Sequence, residues 1–209
     1  MDKGYTSRKE GIRKPERKVV IVCEGEKTEI NYFNGFKTRG SGVEIIPIHG
    51  KCTDPKSIVS YAEERMYCKW SIDLEEGDGV WCAFDVDENK NQTIKDTCEH
   101  AKAKDIKIAL SNPSFELWFL LHYKDIFSPI TRQDAIRELK TFISDYEKNK
   151  KINYFLLEKL SDAIIRAKQL NKKHQKENKE LFSTESNPST QVFELIEFIQ
   201  KLIDEDKQR

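Results

Sequence analysis

Along the first 124 residues the apolar positions switch repeatedly between two periods. The run KVVIVC (18–23) is apolar and β-branched on both sides, the pattern of a strand buried on both faces. It breaks at Glu24-Gly25. Thr28 predicts a helix cap, and Ile30, Phe33 and Phe36 give the apolar stripe of a helix reaching about Lys37. After the turn Gly40-Ser41-Gly42, VEIIPI (43–48) reads as a second strand, with Pro47 marking a sheet edge or a strand end. Asp54-Pro55 has the form of an N-cap followed by an N1 proline, and Ile58, Val59, Ala62, Met66 and Trp70 continue at helical spacing. Beyond an acidic loop (71–79), VWCAF (80–84) is a third strand that runs into Asp85-Val86-Asp87. A helix at 91–104 and a strand IKIAL (106–110) follow, the latter ending at Ser111-Asn112-Pro113. FELWFLLHY (115–123) is apolar all round, so it predicts a deeply buried helix. Past Tyr123 no strand pattern returns. Helices are expected at about 131–146, 154–178 and 190–204, the last with Val192, Leu195, Ile196, Ile199, Leu202 and Ile203 on one stripe.

Strands alternating with helices at this spacing imply right-handed crossovers. The expected fold is therefore α/β: a mostly parallel four-stranded sheet with helices on both faces, plus a helical C-terminal part. Residues 1–17 read as a flexible basic tail, with Lys3, Arg8, Lys9, Arg13, Lys14 and Arg17 against Asp2, Glu10 and Glu16. Residues 18–124 form the α/β domain, and 125–209 pack on it as helices. No internal repeat is visible, although Asn-Pro-Ser occurs twice, at 112–114 and 187–189.

With 36 basic and 36 acidic residues the net charge is zero, so no global field attracts nucleic acid or anionic lipid. Contact with a polyanion would need a local patch. The stripe Lys168, Lys172, Lys176 and Lys179, with Arg166 and Lys173 nearby, either tracks a nucleic-acid backbone or is a solvated helix face. Five cysteines without a CxxC pair fit a reducing cytoplasm better than a disulfide framework or a zinc site. No apolar run approaches the roughly 20 residues of a membrane span, and the N-terminus has no apolar signal region. A cytoplasmic protein without a membrane partner is expected. The absence of GxGxxG after the first strand, of GxxxxGK[ST] and of GxSxG argues against a dinucleotide site, a P-loop ATPase and a nucleophile elbow. Asp85-Val86-Asp87 is similar to the DxD of aspartyl-phosphate phosphatases, but there it ends the first strand and here the third.

In open α/β sheets functional groups gather at the carboxyl ends of the strands. Glu24 ends the first strand, Asp85 and Asp87 the third, and SNPSFE brings Glu116 after the fourth. Two residues apart in extended chain, Asp85 and Asp87 point to one side. If the first and third strands are neighbours, Glu24 joins them. Three such carboxylates repel unless some are protonated or a cation neutralises them, and oxygen-only ligation suits Mg²⁺ or Mn²⁺. Acids after a strand also serve as plain turn residues or helix caps. Glu29 complements a helix dipole. Lys27 meets a phosphate or is a solvated loop lysine. Glu116, among Phe115, Leu117, Trp118 and Phe119, must be paired, metal-bound or protonated, or else it is an ordinary first-turn glutamate. His122 reads as a satisfied core histidine.

CEGEKTEINYFNGF, AFDVDEN and SNPSFELWFLLHY resemble the three signature blocks of the RloB-like proteins, and the late NPSTQVFELI resembles that family's C-terminal block. The likeness covers about residues 18–203. It implies a Toprim fold, whose site uses a glutamate after the first strand and a DxD after the third, matched here by Glu24, Asp85 and Asp87. It further implies Mg²⁺-dependent cleavage of nucleic acid in anti-phage defence and abortive infection, often beside an ABC-type ATPase. Glu24 would be a further metal ligand or the general base. Glu29 and Glu116 match acidic positions of the blocks and His122 matches a histidine, so Glu116 and His122 would shape the site or bind the scissile phosphate. RNA, transfer RNA included, is favoured over DNA by analogy with small toxic effectors. The other reading is a non-catalytic subunit that binds nucleic acid and an ATPase. Ile30 departs from the proline many relatives carry after the TE pair, which would shift the helix start.

Overall fold

The computed structural model describes residues 16–38, 40–86, 90–144, 146–147 and 156–208. Arg17–Cys23 forms strand β1, in which all residues but Lys18 are buried. It pairs in parallel with β2 (Val43–His49) on one side and with β3 (Gly79–Asp85) on the other. Strand β4 (Ile106–Asn112) runs parallel beyond β3. The connections are helices α1 (Thr28–Asn34), α2 (Pro55–Met66) and α3 (Asn91–Ala103). Pro47 lies in β2, an outer strand, where a missing N–H is tolerated. Asp54 caps α2 by accepting from the Ser57 amide at 3.0 Å, and Pro55 takes N1.

The alternation within β1 divides the core. Val19, Ile21 and Cys23 face a layer of α1 and the C-terminal helices, α4 (Glu116–Leu121), α5 (Arg132–Phe142), α6 (Leu160–Lys176) and α7 (Val192–Lys207). Val20 and Val22 face α2 and α3. The helix α4 is buried at every position, as its unbroken apolar run predicts.

Five expectations are corrected. Among the described residues the sheet has five strands, in the order β2-β1-β3-β4-β5, because Ser189–Thr190 adds a short antiparallel β5 opposite Ser111 and Asn112. The last helix accordingly begins at Val192 rather than 190. Arg17, expected in the tail, opens β1: its guanidinium is buried against Glu205 (2.6 Å) and the Leu202 carbonyl (2.5 Å) of α7. The rest of the tail, residues 1–15, lies outside the described residues. Thr28 is the first residue of α1 rather than its cap, and that helix ends at Asn34, three residues early. Among the described residues no helix is long and apolar enough to cross a membrane.

Candidate metal and phosphate site

The order β2-β1-β3 makes the chain leave β1 in one direction and β3 in the other. The crevice at such a switch point, beyond the carboxyl ends of the strands, is where an α/β sheet holds ligands. Glu24 and Asp85 sit there. The Glu24 amide bonds the Ala83 carbonyl at 2.9 Å, extending the β1–β3 ladder by one residue. Its carboxylate Oε2 then accepts from the Asp85 amide at 3.0 Å. Asp85 shares its side of β3 with Trp81 and Ala83, so it points into the layer of α1, α4 and α5. It is only 5% exposed.

Two more carboxylates enter from that layer. Glu29, in the first turn of α1, folds back over Gly25 and is bonded by the Gly25 amide. The fit is so close that a Cβ on Gly25 would stand 2.0 Å from Glu29 Oε2. Glu116 opens α4 and is 2% exposed. The Ser114 hydroxyl donates to its Oε2 at 2.7 Å and the Tyr146 hydroxyl to its Oε1 at 3.2 Å. Glu116 is thus paired, one of the options its apolar surroundings left open. Thr28 bonds the same tyrosine hydroxyl, linking α1 to the segment after α5.

The clustering has an electrostatic consequence. Burial, and then the charges of Glu29, Glu24 and Glu116, hold the Asp85 carboxyl well above the usual carboxylate range, against the opposing pull of Arg132. Burial, with Glu116 and Glu24 nearby, raises Glu29 as well. Arg132 Nη2 lies 3.8 Å from Asp85 Oδ2, within ion-pair reach but too far for a hydrogen bond. A cleft of about 270 Å³ opens above these groups, bordered by Glu29, Asp85, Glu116, Lys27 and Arg132.

Four expected site residues, Glu24, Glu29, Asp85 and Glu116, therefore act on one another, and Lys27 borders the same cleft. Asp87 lies outside the described residues. Among those described, no three acidic, histidine or cysteine side chains are arranged as a finished metal cage. The donor chemistry still suits a hard divalent cation: the groups are all oxygen, and their repulsion is what such a charge relieves. His122 is placed elsewhere. It follows the last residue of α4, at the end opposite Glu116, about 9 Å along the axis. Its Nδ1 bonds the Trp118 carbonyl at 2.8 Å, and burial drives its pKa down to about 4, so it is a neutral core ring.

The lysine-rich stripe lies on and just beyond α6. Lys172, Lys173 and Lys176 border a shallow groove of about 380 Å³. Much of the stripe has local partners: Arg166 bonds the Leu121 carbonyl, Lys168 pairs with Glu197, Lys173 bonds the Phe127 carbonyl and Lys179 pairs with Glu177.

Sequence reasoning missed Arg132, Ser114 and Tyr146. Thr131 was the available signal for the first, since a threonine accepting from the Asp134 amide at 3.1 Å fixes where α5 starts and puts Arg132 in its first turn. Nothing local marks the other two. A family model described as RloB-like protein matches residues 19–199, most of the chain. No curated protein and no solved structure matches it.

Proposed function

We propose, for a chain that belongs to the RloB-like protein family, that it is a Mg²⁺- or Mn²⁺-dependent nuclease of the Toprim type serving as an anti-phage defence effector. One observation carries this reading. Glu24 and Asp85 are joined at the switch point of the sheet, in a cluster of acids whose burial and charges raise the pKa of Asp85 and Glu29. A structural role alone gives no reason to gather like charges there; a cation and a phosphodiester do.

Glu24, Asp85 and Asp87 would hold the metal, which supplies Lewis-acid stabilisation of charge on the phosphoryl oxygens. Glu24 is fixed by the Asp85 amide, so it is presented in one orientation, as a ligand or as the base that takes a proton from water. Glu29 and Glu116 form the wall behind it, each tied down by its own donors. Lys27 supports the substrate phosphate at the rim. His122, a neutral core ring at the end of α4 opposite Glu116, supports the helix that carries Glu116 and takes no part in proton transfer. RNA is the preferred polymer, a co-encoded ABC-type ATPase the expected partner, and the cytoplasm the expected location.

The test is incubation of the pure protein with total RNA, transfer RNA and plasmid DNA, under Mg²⁺, Mn²⁺ or chelator, beside Glu24→Ala and Asp85→Ala. Metal-dependent cleavage lost in both variants is the expected result. Silence on every polymer, repeated with the ATPase present, would replace the nuclease with a non-catalytic nucleic-acid-binding subunit.

A further inference from the structure

The second Asn-Pro-Ser segment contributes no group to the cleft, yet its asparagine bonds the chain just ahead of Arg132, which borders it. Asn187 Oδ1 accepts from the Ile130 amide at 2.9 Å, and Nδ2 donates to the Ile130 carbonyl at 2.9 Å. The side-chain amide thereby pairs with one main-chain residue as a neighbouring strand would. Ile130 is two residues ahead of Arg132, and Thr131 between them caps α5. The start of α5 is thus held from both sides.

The anchor is itself rigid. The Ser186 hydroxyl, fully buried, bonds the Leu181 and Ser183 carbonyls at 2.7 and 3.0 Å. His174 Nε2 lies 2.8 Å from the Pro188 carbonyl oxygen. Ser189 and Thr190 are then paired with β4 as β5.

We infer that Arg132 is the phosphate-orienting group of the cleft and that Asn187 is its positioning residue. The inference rests on the nucleic-acid reading of the site. A phosphodiester approaching a wall of carboxylates needs a fixed cation belonging to the protein. Lys27 offers a point charge on a flexible stem, whereas Arg132 offers a planar fork that matches two phosphate oxygens. The Arg132 side chain is one-third exposed and stands at the cleft beside Asp85. Its charge is useful only if it stays at that spot, and the Asn187 clamp keeps the backbone beneath it from shifting. The C-terminal NPST block would on this account set the geometry of a site built mostly from the first 116 residues.

The test uses the full chain and a labelled 12-nucleotide single-stranded RNA, read by fluorescence anisotropy with Ca²⁺ replacing Mg²⁺. Arg132→Ala is expected to weaken binding about tenfold to a hundredfold, with Arg132→Lys recovering part of it. Asn187→Ala is expected within about threefold of Arg132→Ala, and the double variant within about twofold of Arg132→Ala, because both act through one group. Asn187→Gln, which keeps both the acceptor for the Ile130 amide and the donor for its carbonyl on a longer stem, should fall between wild type and Asn187→Ala. It also replaces Asn187→Ala if that variant does not melt cooperatively. In turnover with Mg²⁺, KM should rise in these variants with kcat changed less. Wild-type affinity in Arg132→Ala would overturn the inference, as would independent, multiplying losses in the double variant. A wild type that cleaves while Arg132→Ala keeps its KM sinks this inference and leaves the nuclease standing. A wild type that neither binds nor cleaves any polymer removes both.

Discussion

Gly25→Ala measures how tightly the acidic wall is built. The glycine is not in the left-handed region, so alanine meets no backbone strain there. The obstacle is Glu29: the new Cβ would lie 2.0 Å from Oε2 and 2.6 Å from Cδ. Restoring an ordinary contact of 3.4 Å requires the carboxylate to retreat by about 1.4 Å. That retreat breaks its bond with the Gly25 amide, one of the two backbone hydrogen bonds that favour its charged form against burial and the charges of Glu116 and Glu24. A hydrogen bond to a charged group is worth about 1.5–3 kcal/mol. Stiffening the unfolded chain returns about 0.4–1 kcal/mol. The net expectation is a loss of about 1–2 kcal/mol in the metal-free protein. In a Glu29→Ala background the struck atoms are gone, so the same change should become neutral or stabilising by up to about 1 kcal/mol. Urea denaturation in chelator, with the slope m held constant across the four proteins, reads the cycle. Equal losses in both backgrounds would show that Gly25 is constrained by its backbone. No loss in the wild-type background would show that Glu29 is not packed there at all.

Three further outcomes follow from the same contacts. Asp85 has a folded pKa above its unfolded one, so its burial is a penalty at neutral pH that is relieved as pH falls through the folded value. In chelator, Asp85→Asn should therefore melt about 2–6 °C above wild type at pH 8, with the gap closing toward pH 5; a constant gap would refute the carboxylate repulsion. His122→Phe should keep metal-dependent cleavage within about threefold of wild type while losing about 1 kcal/mol from its bond to the Trp118 carbonyl. A hundredfold loss of activity in a folded His122→Phe would return the ring to the chemistry. Arg17→Ala should cost about 2–3 kcal/mol in urea, because it strips the buried bond to the Leu202 carbonyl and the half-exposed pair with Glu205 that tie β1 to α7, and Arg17→Met should cost less by keeping the packing.

The parts of this molecule that could be read from the chain are those whose signal is local. Strands β1, β3 and β4 show as short apolar runs cut by turn residues, and Asp54-Pro55 as a cap, because each depends on neighbours in sequence. The acids were legible for the same reason: a parallel sheet places whatever follows a strand at its carboxyl end, so Glu24 and Asp85 could be put together once β1 and β3 were adjacent. Strand β5 was not legible, since two residues carry no period. Tyr146 continues the apolar spacing of α5 and so reads as more helix. The chain instead leaves helical geometry at Ile143 (φ −127°, ψ 84°), and the ring turns back to Glu116. Arg132 in a first helical turn looks like solvated charge, and its contact with Asp85, which β3 turns into the layer of α5, is what the sequence does not show.

The repeated Asn-Pro-Ser is where the two kinds of information meet. The repetition is visible in the chain, but its sense is tertiary: Asn112 and Ser189 lie opposite each other in the β4–β5 pair. The two asparagines do different work. Asn112 donates to the Ser183 and Thr184 carbonyls and pins the end of β4 to the C-terminal part. Asn187 reaches the other way, to Ile130 ahead of α5. Ser114, from the first copy, bonds Glu116, while the second copy continues into β5. One copy therefore supports the acidic wall and the other the cationic one, and the two are joined by a strand pair. A change in either copy should therefore reach the cleft, through Glu116 in the first case and through the backbone ahead of Arg132 in the second.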